Sequence, residues 1–251
     1  MKFPKAASKL IISNIISSSS ITHWLSSFTH WLFPQSCFLC GDISTKVICA
    51  ACLADLPYQG AACIYCAKSL DSEKITAEVC PQCRKELPPY THTQALFSYT
   101  YPITTLIPVA KFHQNLAVLN LLGYLMAQFM VIEPRPDVLI PVPLHPRRLR
   151  QRGYNQSLEL TKCITKETDI PLDNKACKRI KYTKPQTSLT SSQQRQENLI
   201  DAFQVISIKP HWQHIILIDD VMTTGSTVKE LTLEFKKAGM KRVDVWCCAR
   251  R

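Results

Sequence analysis

The chain has 251 residues, 46% of them apolar, enough to fill the core of one large domain or two small ones, which excludes a disordered or fibrous protein. Thirty Lys and Arg against nineteen Asp and Glu give a net charge of +11, a bias toward polyanions such as nucleic acid or phosphorylated substrates that equally serves plain solubility. No apolar run reaches the roughly 18 residues of a membrane span, so stable membrane insertion is not expected.

At the N-terminus, Lys2, Lys5 and Lys9 precede the apolar stretch LIISNII. The pattern loosely imitates a secretory signal, but Asn14 interrupts the block and the serine run after it lacks a cleavage site, so the chain reads as cytoplasmic. Ile21, Trp24, Leu25, Phe28, Trp31 and Leu32 fall at helical spacing and stop at Pro34, which predicts an amphipathic helix within an N-terminal extension over residues 1–33. Its polar face carries serines and histidines rather than Lys and Arg, which favours docking on protein over docking on a membrane.

Residues 34–89 hold four C-x2-C pairs: Cys37/Cys40, Cys49/Cys52, Cys63/Cys66 and Cys80/Cys83. A disulfide framework is the alternative, but a two-residue gap suits two thiolates gripping one metal ion. Structural zinc takes four ligands in a tetrahedron, so these sulfurs predict two Zn2+ ions in a double zinc ribbon. Sequential pairing joins Cys37, Cys40, Cys49 and Cys52 in one site and Cys63, Cys66, Cys80 and Cys83 in the other. Interleaved pairing closes longer loops, a disadvantage of only a few tenths of a kcal/mol that geometry can reverse. The block has too few apolar side chains for a core of its own, so metal would supply most of its folding energy. Cys163, Cys177, Cys247 and Cys248 lack this spacing and read as small packed residues.

After Pro88 and Pro89 the texture changes, marking a domain over residues 90–251. QALFSYTY reads as a strand, and helical spacing runs from Leu106 onward with a break near Lys111 to Asn115. Then come a strand at 138–144, a helix at 154–168, a short strand at 203–206, a strand at 214–220, a helix at 226–239 and a strand at 243–249. Such alternation predicts an α/β fold with a mainly parallel sheet and flanking helices.

The strand HIILIDD ends in two adjacent carboxylates, Asp219 and Asp220, followed by Thr223, Thr224, Gly225, Ser226 and Thr227. In an open parallel sheet, ligands sit beyond the carboxyl ends of the strands. Neighbouring carboxylates repel unless something beside them favours their charge, and ribose hydroxyls or Mg2+ would do so. The hydroxyl and glycine turn opens a helix whose backbone N–H groups suit a phosphate. Carboxylates for a sugar beside amides for a phosphate describe a ribose 5-phosphate; a strand, a turn and a helix cap would need one hydroxyl, not four.

IILIDDVMTTGST resembles the phosphoribosyl diphosphate (PRPP) binding motif of type I phosphoribosyltransferases. The wider chain, about residues 34–251, is similar to the ComF family, in which cysteine knuckles precede such a domain; VLIPVPLHPRRLRQRGYNQS (138–157), RIKYTKPQTSLTSSQQRQENLIDAF (179–203) and YPITTLIPVAKF (101–112) carry the rest of the likeness. The resemblance implies a type I phosphoribosyltransferase-like domain over 90–251. It also implies that Asp219 and Asp220 hold the ribose hydroxyls of PRPP with Mg2+ bridging to the diphosphate, and that residues 223–227 hold the 5-phosphate. The loop bearing Arg147, Arg148, Arg150 and Arg152 would face the diphosphate, the alternative being a solvated basic loop. Arg179, Thr183, Gln186, Arg195 and Asn198 would form a flexible hood that excludes water.

Purine-salvage relatives place an acidic residue where Thr223 stands, so the acceptor stays open, with Lys111, His113 and His145 as candidate assistants. The resemblance implies a role in DNA uptake or utilisation, with PRPP, single-stranded DNA and other DNA-uptake proteins as partners. A transferase acting on an unidentified nitrogen nucleophile or a nucleobase, a non-catalytic single-strand binder with a vestigial PRPP pocket, and a purely structural zinc adaptor remain the alternatives.

Overall fold

The computed structural model describes residues 36–70, 78–112, 115–182 and 200–251. The helix expected over 21–32, His113, and the hood residues Thr183, Gln186, Arg195 and Asn198 lie outside them.

In chain order the elements are α1 (Ala50–Ala54), α2 (Pro81–Lys85), β1 (His92–Ser98), α3 (Ile103–Phe112), α4 (Leu116–Phe129), β2 (Val138–Pro141), α5 (Pro146–Arg152), α6 (Gln156–Thr168), β3 (Cys177–Arg179), β4 (Phe203–Val205), β5 (His214–Met222), α7 (Ser226–Lys237) and β6 (Arg242–Arg250). The break expected between α3 and α4 is present. The arginine stretch expected as a loop is instead the helix α5. Its capping signals are complete: the His145 ring nitrogen accepts from Arg147 N–H, Pro146 opens the first turn, and Gly153 closes the last at φ 84°.

Four strands form one parallel sheet in the order β1-β6-β5-β2, and β3 pairs antiparallel with β4 in a separate ribbon. The continuous apolar runs of β2, β5 and β6 suit a sheet covered on both faces. Alternate side chains serve opposite cores. Ile216, Ile218, Trp246 and Cys248 pack with α3, α4 and α6, while Ile215, Leu217, Val245 and Cys247 pack with Val228, Leu231 and Phe235 of α7.

Neither core belongs to the sheet alone. Cys37, Ile48, Leu53 and Leu56 are built into the first, and Cys63, Cys66, Cys80 and Cys83 into the second. A cysteine block too poor in apolar residues for its own interior thus borrows one from each face of the sheet. Tyr58 marks the first seam, its ring 5.1 Å from Phe97 and 5.2 Å from Phe129. Among the described residues no helix is long and apolar enough to cross a membrane.

Candidate functional site

The register sets the site. Pro141, the last residue of β2, pairs with Ile218, so β5 runs on past its neighbour and carries Asp219 and Asp220 to the carboxyl edge. Asp220 meets Lys111 Nζ at 2.6 Å, from the last turn of α3. The Tyr154 hydroxyl donates to the Ala110 carbonyl and ties the Gly-Tyr-Asn-Gln stretch to that same turn. Asp219 Oδ1 accepts from its neighbour's backbone, Asp220 N–H, at 2.9 Å and from Ser157 Oγ at 3.3 Å.

Burial and the Asp220 charge push the Asp219 carboxyl up to about 7, with Lys111 opposing. Burial works against the Lys111 charge as well, but Asp220 beside it prevails and holds the ammonium above the usual lysine range. These carboxylates sit where an added cation would be welcome. Hard oxygen donors at an open strand end are the donor set Mg2+ takes, usually one or two carboxylates together with substrate phosphates.

Beyond the carboxylates the chain turns at Gly225, φ +79°, where an added Cβ would come within 2.7 Å of Met222 Cε and 3.2 Å of the Tyr90 hydroxyl. The backbone angle is what calls for glycine there; the Met222 methyl, at the end of a flexible side chain, could move aside. Gly225 is the N-cap of α7 and has no side chain to cap it; Thr224 Oγ1 accepts from Ser226 N–H at 3.3 Å. Thr224 Oγ1 and Ser226 Oγ lie 2.8 Å apart at the mouth. The first-turn amides of α7, the positive end of the helix and these hydroxyls are groups that could hold a phosphoryl group.

The four arginines of α5 divide between two faces. Arg148 and Arg152 are half-buried, while Arg147 and Arg150 are exposed, the result of helical spacing. Arg152 donates to Gln156 Oε1 at 2.8 Å. Burial, with Arg152 nearby, lowers the pKa of Arg148. Arg179 of β3 is buried, its guanidinium 5.3 Å from the Phe203 ring centre. Burial and Arg148 lower its pKa to about 10 against the pull of Asp219. A cavity of about 420 Å3 opens between these elements, lined by Pro141, Leu144, His145, Leu149, Asn155 and Arg179 among others. At its rim the exposed Tyr182 ring lies 5.0 Å under Arg147 and 5.2 Å from His145.

The eight cysteines fall into the two sequential quartets, with all four sulfurs of each within 4.8 Å of one another. Sulfur separations of 3.8 Å for Cys40 and Cys49 and 3.6 Å for Cys66 and Cys80 are close to the ~3.8 Å edge of a tetrahedron with ~2.3 Å Zn–S bonds. They exceed the ~2.05 Å of a disulfide. Each quartet joins a tight turn to a helical turn. Gly41 N–H donates to the Cys37 carbonyl at 2.9 Å and Ala67 N–H to the Cys63 carbonyl at 2.8 Å. Cys49 and Cys80 are the N-caps of α1 and α2 and accept from Cys52 N–H and Cys83 N–H. Thiolate acceptors at helix N-termini are the state a metal requires, so the donor chemistry fits structural zinc.

Ser157, Tyr90 and Arg250 were invisible to sequence reasoning, because the fold, not proximity in the chain, delivers them. The one available signal was Asn155-Gln156-Ser157 opening α6, a cap that aims Ser157 at the carboxylates.

Residues 28–84 match the double zinc ribbon domain. Competence protein F of Haemophilus influenzae is 31% identical over 83% of this chain and 92% of its own length. DNA utilization protein YhgH of Salmonella typhi is 30% identical over 86% of this chain and 97% of its own. Among solved structures, a purine phosphoribosyltransferase from Pyrococcus horikoshii Ot3 is 19% identical, covering 53% of this chain and 72% of that one with a TM-score of 0.32.

Proposed function

The chain belongs to the ComF family, and from that premise we propose that it binds PRPP with a divalent cation at the carboxyl end of β5 and acts in the uptake or utilisation of DNA. One observation carries the reading: paired carboxylates, a left-handed glycine and the helix start that this glycine caps follow one another within Asp219 to Ser226. Asp219 and Asp220 would hold the ribose hydroxyls and the cation, and residues 223–227 the 5-phosphate. The cation, when bound, supplies positive charge that keeps both carboxylates ionised. Arg148, Arg152 and Arg179 would meet the departing diphosphate, and their burial would strengthen each contact they make with an anion.

In a transfer reaction the bond from the anomeric carbon to diphosphate breaks, diphosphate keeps the electron pair, and a nitrogen nucleophile takes its place. Thr223 supplies no base for the acceptor's proton, so that proton leaves through the acceptor or water. Isothermal titration of PRPP with Mg2+ tests the reading. Wild type should bind, and Asp220→Asn should not while its DNA binding is unchanged; a wild-type chain that ignores PRPP ends the proposal. Diphosphate release in the presence of DNA or free bases decides whether binding leads to transfer.

A second reading, contact with single-stranded DNA, is supported by the rim of the cavity. Tyr182, Arg147 and His145 combine an exposed aromatic ring with a guanidinium and an imidazole beside it, a pairing on which unstacked bases rest. Affinity should fall steeply with salt, and removing one phosphate contact with Arg150→Ala should reduce the slope of log affinity against log salt by about 0.7. A flat salt response would exclude electrostatic DNA binding.

A further inference from the structure

Arg250 belongs to none of the motifs above, yet its side chain joins the second cysteine site to the phosphate loop. It is 9% exposed. Its Nε donates to the Cys66 carbonyl at 2.7 Å, and Nη1 to the Met222 carbonyl at 3.0 Å, to the Thr223 carbonyl and to the Arg251 carbonyl. Carbonyls of a metal knuckle and of the turn that should receive a phosphate are thus gripped by one guanidinium.

Two further links run in parallel. Tyr90 and Met222, the side chains that crowd Gly225, lie in the same core as Cys63, Cys66, Cys80 and Cys83. Lys229 of α7 pairs with Glu86 at the end of α2 at 2.7 Å. The first cysteine site packs into the other core, against the side that holds α3 and α4.

Geometry gives the link a direction. The Cys66 carbonyl held by Arg250 lies in the tight turn closed by Ala67 N–H on the Cys63 carbonyl, and that turn keeps its shape when Cys63 and Cys66 grip one ion. We propose that Arg250 is a positioning residue that clamps the phosphate loop to the second cysteine site, so that the loop keeps its anion-receiving backbone only while that site is assembled on metal. The value of the loop as an anion site rests on the PRPP reading; the clamp itself does not.

Hydrogen exchange of the amides of residues 222–228 in the ligand-free, zinc-loaded full chain tests the clamp. Arg250→Met should speed exchange there by about tenfold or more while exchange in α4 and the zinc content stay as in wild type. Arg250→Lys, which keeps the charge and one donor group, should restore part of the protection. Cys83→Ser should loosen the same amides, and Cys40→Ser in the first site should not. Should Arg250→Met fail to fold, Arg250→Lys and the contrast between the two cysteine variants carry the test. Unchanged loop exchange in the Arg250 variants, or equal loosening by Cys40→Ser and Cys83→Ser, overturns the proposal. PRPP affinity, measured on the same samples, should fall with loop protection. A wild-type chain that ignores PRPP removes the ligand reading and leaves the clamp to be judged by exchange alone.

Discussion

Gly225 shows how narrowly the turn is specified. Alanine there would need a left-handed backbone and would place its Cβ against Met222 and Tyr90. Gly225→Ala should cost about 1–2 kcal/mol in thermal or denaturant unfolding, since an L-residue in that region is strained by about this much. It should also weaken PRPP binding beyond what the lost stability explains. Asp219 leads to a pH prediction. Its folded pKa of about 7 lies above the ordinary 3.8, so between these values the native state holds the proton more tightly than the unfolded one. The stability it contributes is therefore present at acid pH and is lost as pH rises through about 7. In the ligand-free protein this decline should disappear in Asp219→Asn, measured by melts across that range. PRPP with Mg2+ favours the ionised form, so binding should tighten as pH rises through the same range. The carboxylates and the turn were legible in the sequence because their chemistry is contiguous. Lys111 was legible only as a candidate assistant, and Arg250 not at all, since a buried arginine at a strand end has no local signature.

Among the elements, α5 shows how sequence can mislead. Its crowded positive charge suggested a solvated or ligand-facing loop, and self-repulsion does disfavour a helix there. The caps at His145 and Gly153, with Pro146 at the first turn, outweigh that repulsion. Strand β3 escaped notice for a different reason: Cys177-Lys178-Arg179 is dominated by cations, whereas the equally short β4 alternates Phe203, Gln204 and Val205. The start of α6 is held twice. Asn155 Oδ1 accepts from Ser157 N–H at 3.1 Å and Nδ2 donates to the Val142 carbonyl at 3.0 Å. Asn155→Ala should cost about 1–2 kcal/mol, as the loss of an N-cap does. Because Ser157 would shift with the cap, PRPP affinity should fall as well. Asn155→Asp keeps the cap but sets a carboxylate oxygen against the Val142 carbonyl, so it should recover only part of the stability in the same denaturant titration.

At the scale of the whole molecule, the cysteine block and the sheet share both cores, so they should not melt apart. Removing zinc with a chelator should produce one lowered calorimetric transition rather than an early small one followed by an unchanged large one. The expectation that metal holds the cysteine block together came from its composition. The shared interior did not, because nothing in the spacing of cysteines says which face of a sheet they will join.

The strand order also dictates a sequence of events in time. Among the described strands β1 has β6 as its neighbour in the sheet, with only the short Tyr58 bridge on its other edge, while the cysteine quartets close over short stretches. Local closures form quickly and distant pairings slowly. The knuckles can therefore load metal early, while β1 waits with an unsatisfied edge until β6 slides between it and β5. Folding should be slow and concentration-sensitive in that interval, with the waiting edge as the point of aggregation.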